Sequence, residues 1–496
     1  MTMRMPHFLK KRAFLTPDRP ALLFNNQLLT FKELYAKSLS LATKLTSAGV
    51  DSSTFTGVLI KNNLESAILL YALQICRAPA VMLNNRLTAA EIAWQLRDAN
   101  VSILISEPSL TSLAKEAASS HESVTTLTLT ELSSIKPANW IPSDEVSLED
   151  ICTVMYTSGT TGHPKGVLQT YGNHWWSASG SALNLGMTEH DTWLCTVPLF
   201  HISGYSILIR GIIYGNLVIL HEHFDPKHVV KDIIEKKVSY MSIVGTALNR
   251  VLDELGDRNL PDTFGCMLLG GGPAPLPLLE ACRRQNVPVF QTYGMTETAS
   301  QSATLASEYS LSKLGSAGKP LFPVSIKIQL DDGNEAPAGE EGEILVKGPN
   351  VMPGYLNRPE ATAEKIVDGW FHTGDIGKLD EEGFLYVIDR RSDLIISGGE
   401  NIYPAEVESV LVSHPYVWDA GVAGISDSEW GQVPVAFLIL MDGYSLTEEE
   451  LRSYCLSRLA KYKVPRSFYF VKELPRNASN KLLRRNLTSL IGGDLT

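Results

Sequence analysis

The chain has 496 residues, too many for one ordinary hydrophobic core, so at least two domains are expected. With 44% apolar residues, 20% charged residues and a mean hydropathy of +0.01, its composition is neither that of a disordered segment nor that of a membrane-embedded one. A net charge of -11 speaks against a nucleic-acid partner held on a broad basic face, and an anionic substrate would need local positive charge.

The N-terminal stretch carries Lys10, Lys11 and Arg12 without a flanking apolar run and does not read as a signal peptide. No apolar stretch approaches the roughly 20 residues that a membrane-spanning helix requires. The cysteines (Cys76, Cys152, Cys195, Cys266, Cys282 and Cys455) are scattered, with no metal-ligand spacing, in a chain too large to need disulfide staples. These features predict a soluble, cytoplasmic protein with reduced thiols, and they leave association into a homo-oligomer open.

From Thr30 to about Thr170, helical periodicity (ELYAKSLSLATKLTSAG) alternates with short β-branched runs (TGVLI, VSILIS), which predicts αβ layers around a mostly parallel sheet. The alternation resumes after Asp191. From Gly315 to Val387 short strands with Gly-rich, acidic turns predict a small β-rich module closing the first domain. The charged run Asp389-Arg390-Arg391-Ser392-Asp393 is a candidate boundary, and the remainder reads as a small α+β domain. The expected fold is therefore α/β, with a large N-terminal domain over 1–389, a C-terminal domain over 390–496 and a junction near 390–393.

Six segments carry chemistry. Thr157-Ser158-Gly159-Thr160-Thr161-Gly162-His163-Pro164-Lys165-Gly166 follows the strand-like ICTVMY and gathers backbone N–H groups, hydroxyls and one ammonium, the chemistry of a phosphate cradle. It is not a P-loop, because no Ser or Thr follows Lys165 to hold magnesium. Gly270-Gly271-Gly272-Pro273 ends another strand, where a side-chain-free backbone lets a planar base approach. One strand–helix–strand step later, Thr292-Tyr293-Gly294-Met295-Thr296-Glu297 offers an aromatic for stacking, hydroxyls for phosphate and a carboxylate for Mg²⁺. Asp375, behind the turn at Gly374, could accept hydrogen bonds from ribose or simply cap a turn. The last two features are Ser397-Gly398-Gly399, just past the boundary, and Lys481 in PRNASNK, which by itself is an ordinary surface lysine.

One further residue stands out. Pro198-Leu199-Phe200-His201 leads into YSILIRGII, an apolar run interrupted by Arg210. In a helix, Arg210 would lie close to a substrate pocket, where an unpaired guanidinium is costly. It could reach the surface, pair with a protein acid or meet a second carboxylate on the substrate, and the pattern leaves all three open.

In this order and spacing, TSGTTGHPKG, YGMTET, FHTGD, DRRSDLIISGGENIYPAE and PRNASNK resemble the adenylate-forming family of acyl-CoA synthetases, luciferases and peptide-synthetase adenylation domains, over nearly the whole chain. The resemblance implies an enzyme that uses ATP and Mg²⁺ to make an acyl-adenylate and then transfers the acyl group to coenzyme A. It implies that Lys481 bridges substrate carboxylate and α-phosphate. Thr157, Ser158, Gly159, Thr160, Thr161 and Lys165 would hold the departing phosphates, and Gly271 to Pro273 with Thr292 to Thr296 would enclose adenine and the α-phosphate. Glu297 would bind Mg²⁺, and Asp375 with Arg390 would hold ribose. Rotation of a mobile C-terminal domain about Arg391 and Ser392 would replace the lysine by the Gly398-Gly399 loop beside a thiol tunnel, which His201 would border. One departure is Asn480, where the family usually has Gly before its lysine; Asn tolerates a left-handed backbone better than other non-Gly residues.

A closer resemblance is carried by PHFLKKRAFLTPDRPAL, MLNNRLTAAEI, VPLFHISGYSILIR and FQTYGMTETASQ, which look like bacterial 2-succinylbenzoate–CoA ligases of menaquinone biosynthesis. Their substrate is a dicarboxylate, and its ring carboxylate would then sit near Arg210, His201, Gly270, Ser300 and Gln301. The rival expectations are a synthetase for a medium-chain or aromatic monocarboxylic acid and an inactive adenylate-binding scaffold.

Overall fold

The computed structural model describes residues 3–121, 123–158, 164–271, 274, 276–389, 394–441, 443–476 and 482–491. Helix starts follow local chemistry. Phe31–Ser47 opens on a capping box between Thr30 and Glu33, Ala89–Asp98 on one between Thr88 and Glu91, and Glu448–Leu456 on one between Thr447 and Glu450. Each box satisfies backbone donors that would otherwise be orphaned at a helix N-terminus.

Among the described residues, the N-terminal region builds two large sheets. The first has seven strands, and its Ala80–Leu83, Thr56–Leu59, Ile103–Ser106 and Thr125–Thr128 strands run parallel. Ile151–Ser158 joins parallel to Ala80–Leu83, and Pro164–Thr170 folds back on it as an antiparallel hairpin. The second has a parallel centre formed by Thr192–Cys195, Leu217–Leu220, Tyr240–Val244, Cys266–Gly270 and Val289–Met295. Its central strands are nearly continuous apolar runs because helices cover both faces.

The β-rich segment after Gly315 is not separate from this sheet. Ser316–Pro320 pairs with Ser300–Leu305 on one side and with Leu385–Asp389 on the other, so the predicted module extends the same ladder. After residue 393, Val417–Asp427 and Gly431–Leu440 form a long hairpin flanked by Ile395–Ser397 and Phe468–Phe470, with Pro404–Val412 and Glu448–Leu456 packed on it. This is the expected small α+β unit with its own apolar core. The junction candidates Arg391 and Ser392 lie outside the described residues. No helix among the described residues is long and apolar enough to cross a membrane, and all six cysteines are free and buried.

Candidate active site

The parallel strands of both sheets end toward a shared cleft, the usual ligand position in α/β folds. A cavity of about 320 Å³ occupies it. Thr157 lines it from the first sheet, and His201 and Arg210 line it from the Ile202–Tyr214 helix and its cap. Gly270 and Gly271 come from one strand end, and Thr292, Gly294, Met295, Thr296 and Glu297 from the next. Ser300, Gln301, Asp375 and Gly399 complete the set. Segments read separately along the sequence thus converge on one space.

The turn after Val289–Met295 is held under strain. A Cβ on Gly294 would stand 1.8 Å from the Ser300 carbonyl oxygen, so only glycine fits. Ala299 and Ser300 adopt φ values of 50° and 106°, left-handed conformations that side chains rarely take. Side-chain amides fix the loop, with Gln169 Nε2 donating to the Thr296 carbonyl (2.7 Å) and Asn350 Nδ2 to that of Thr298 (2.9 Å). Glu297 is 4% exposed, and its Oε1 accepts from the Tyr355 hydroxyl at 3.1 Å. No cation among the described residues pairs with it, and its side chain lines the cavity.

The arginine resolves in one direction. Arg210 is 2% exposed, which removes the surface reading. Its Nη2 donates weakly to Ser300 Oγ at 3.3 Å and to Gln301 Oε1 at 3.5 Å, and the guanidinium lies over the Trp193 ring at 5.2 Å. Its Nε has no hydrogen-bond partner, and no carboxylate among the described residues pairs with it. Burial holds its pKa below the ordinary arginine value.

Tyr293 is not among the residues that line the cavity. Side chains alternate along a strand, so Thr292 faces the cavity while Tyr293, 1% exposed, packs into the core. Its hydroxyl donates to Asp375 at 2.8 Å and so positions the acid. Lys165 faces Thr157 across the hairpin, with its ammonium 5.4 Å from the centre of the Tyr355 ring. Gly159, Thr160, Thr161, Gly272, Pro273, Arg390 and Lys481 lie outside the described residues, as does the side chain of Ser158.

A second cavity of about 540 Å³ adjoins the first, and His201 and Gly399 line both. Gly398 and Gly399 have φ values of 57° and 87°, and Gly398 packs against Trp430 so closely that a Cβ would meet its ring at 2.7 Å. Ser397 pairs with Glu400 across this turn and lines neither cavity. Glu400 is the residue that sequence reading missed. Its carboxylate accepts from Arg86 (2.7 Å) and Asn84 (3.2 Å) and stands 3.3 Å from His201 Nε2. Burial opposes its charge, but His201, Arg86 and Asn84 outweigh that and hold its pKa below the usual carboxylate value. A second clasp lies beside it, where Lys463, 3% exposed, reaches Glu91 and Glu406 at 2.7 Å each. Glu400 follows the quoted Gly pair directly and was available as a signal; nothing in the sequence pattern pointed to Arg86, Glu91 or Lys463.

Comparison with known proteins agrees with this geometry. A model of AMP-binding enzymes matches residues 9–356, and one of the AMP-binding enzyme C-terminal domain matches 406–481. The chain is 55% identical over 487 residues to a 2-succinylbenzoate–CoA ligase of Geobacillus kaustophilus, covering 98% of each chain. It is 50% identical to that of a Bacillus cereus strain, again with 98% of each chain covered. Among solved structures, o-succinylbenzoate CoA synthetase of Bacillus subtilis with the product analogue OSB-NCoA matches with a TM-score of 0.94 at 48% identity, covering 98% of this chain and 99% of that one. The same synthetase with the acyl-adenylate OSB-AMP matches at only 0.77, at 49% identity and 98% coverage of each. At nearly equal identity the chain therefore superposes better on the product-analogue complex than on the adenylate complex. The chain belongs to the family of AMP-binding, adenylate-forming enzymes.

Proposed function

We propose that the chain is an AMP-forming acid–thiol ligase that converts 2-succinylbenzoate to its CoA thioester in menaquinone biosynthesis, by way of the acyl-adenylate. The observation that carries the choice of acid is Arg210, a buried guanidinium on the cavity wall without a carboxylate partner among the described residues. A substrate with a second carboxylate supplies the missing charge. A monocarboxylate would leave it buried and uncompensated.

In the first step an oxygen of the succinyl carboxylate attacks the α-phosphorus of ATP, and pyrophosphate leaves. Thr157 and Lys165 are the described groups offered to the leaving phosphates, and Asp375, held by Tyr293, would take the ribose. Glu297 fits a magnesium ion, being an acid neutralised by no protein cation among the described residues; the ion would screen the phosphate charge. Lys481 keeps the role implied by family resemblance, bridging the two reacting groups. In the second step the thiol sulfur of CoA attacks the acyl carbon and AMP leaves. The Gly398–Gly399 turn borders the second cavity, and His201, which lines both cavities, would take the thiol proton while Glu400 orients its ring. A division into domains at 390–393, with rotation between the steps, accounts for the reacting ends meeting the same small space in turn. Free, buried cysteines and these co-substrates suit a cytoplasmic enzyme.

The test is pyrophosphate release and thioester formation with ATP, CoA and a panel of acids. The reading requires 2-succinylbenzoate to exceed its analogue lacking the ring carboxylate, 4-oxo-4-phenylbutanoate, by about a hundredfold in kcat/KM. Equal use of the two would move the assignment to a monocarboxylate, and no acid-dependent turnover would leave a scaffold.

A further inference from the structure

Beside the rim of the second cavity, the strand Leu217–Leu220 ends at His221, and the helix Pro226–Glu235 returns beside it. His228 and Asp232 stand four residues apart on that helix, hence on one face. His221 Nε2 is 2.9 Å from Asp232 Oδ2, and His228 Nε2 is 3.7 Å from the same oxygen. One ligating atom from each of the three lies within 4.8 Å of the others. His221 and Asp232 are 4% and 1% exposed, whereas the His228 side chain is 45% exposed.

A plain structural account exists, in which Asp232 is a buried acid satisfied by His221 and by Lys236 at 2.9 Å. Two further observations stand beside it. The Nδ1 of His221 is buried without a hydrogen-bond partner. The His228 ring, free to enter solvent, instead lies stacked on His221 with centroids 4.1 Å apart. Two imidazoles and one carboxylate are a donor set of zinc and its neighbours, with a fourth position left for water.

The distances suit such an ion. Donors at about 2.0–2.1 Å from a tetrahedral ion lie roughly 3.3–3.4 Å from one another. The two separations at Asp232 bracket that value. Parallel rings cannot both aim a lone pair at one point, so coordination requires His228 to tilt off the stack, which its exposure permits. Lys236 occupies the same carboxylate oxygen, and with its side chain 32% exposed it can swing into water.

We propose that His221, His228 and Asp232 form a binding site for a divalent transition-metal ion of the zinc type, for which the Lys236 ammonium is the built-in competitor. The ion would tie the end of Leu217–Leu220 to the helix. The next residues, Glu222, His223 and Phe224, line the second cavity, so occupancy would also stiffen that rim.

The experiment is titration of the untagged full chain with Zn²⁺ against a chromophoric chelator, and with Co²⁺ by visible absorption, without nucleotide. One equivalent is expected to bind, with the intense visible bands of low-coordinate cobalt. His228→Gln, at a half-exposed position, should weaken binding roughly tenfold or more and abolish those bands. Lys236→Gln should tighten binding severalfold, a change that a merely structural cluster would not produce. Equal affinity of the parent and His228→Gln, or no gain in Lys236→Gln, would overturn the assignment.

Discussion

Replacing Arg210 by Leu should move activity and stability in opposite directions. Removing one partner of a buried, hydrogen-bonded charge pair costs roughly 2–5 kcal/mol, which corresponds to about a 30-fold to several-thousand-fold fall in kcat/KM. That fall should appear with 2-succinylbenzoate and be nearly absent with 4-oxo-4-phenylbutanoate, which has no ring carboxylate to lose. Without substrate the balance reverses. The guanidinium gives up a stack on Trp193 worth about 0.5–2 kcal/mol and two long hydrogen bonds worth about 1 kcal/mol. Against that, Leu removes a desolvated charge whose burial costs several kcal/mol. The ligand-free variant should therefore melt no lower than the parent. The assays are steady-state kinetics on both acids and thermal denaturation of the apo protein. Unchanged kcat/KM for the dicarboxylate, or equal losses on both acids, would refute the argument, and a sharp drop in Tm would show that Arg210 serves the fold instead.

Three further outcomes are expected. Glu91→Gln keeps the cap on Ala89–Asp98 but removes a charge from the Lys463 clasp, so thioester formation from preformed adenylate should slow about five- to thirtyfold while pyrophosphate release is spared. Because the Glu400 pKa is depressed, its contribution to docking of the Gly398–Gly399 turn is full above the ordinary value of 4.5 and is lost as pH falls through the lower folded value. A pair of fluorescent labels, one on each side of residue 390, should report constant separation from pH 8 to about 5 and an increase below, whereas Glu400→Gln should show the looser state throughout. Gly294→Ala cannot place its methyl beside the Ser300 carbonyl, so both half-reactions should fall by at least about a hundredfold with the circular dichroism spectrum retained.

Much of the site was legible because its chemistry is carried by backbone. Phosphate and base contacts need runs of Gly, Ser and Thr at strand ends, and such runs at Thr157, Gly270 and Thr292 are visible without coordinates. Alternating helical and strand periods likewise announced parallel sheets with ends converging on a cleft. Arg210 was visible as an anomaly because a cation in an apolar helix breaks the pattern of its own neighbours.

What the sequence alone could not decide was the company each side chain keeps. That Arg210 lacks a counterion depends on Ser300 and Gln301, about 90 residues away in the chain. Tyr293 turned into the core toward Asp375 because strand alternation gave the cavity to Thr292. Glu400 meets His201 and Arg86, and Lys463 meets Glu91, only through the arrangement of two separately packed units. The grouping of His221, His228 and Asp232 likewise needs a strand end and a returning helix to coincide. Local propensity and motif spacing determined the fold class and the family, since both are written in short-range pattern. Charge pairing, cavity walls and docking depend on long-range packing, and those only the tertiary structure decided.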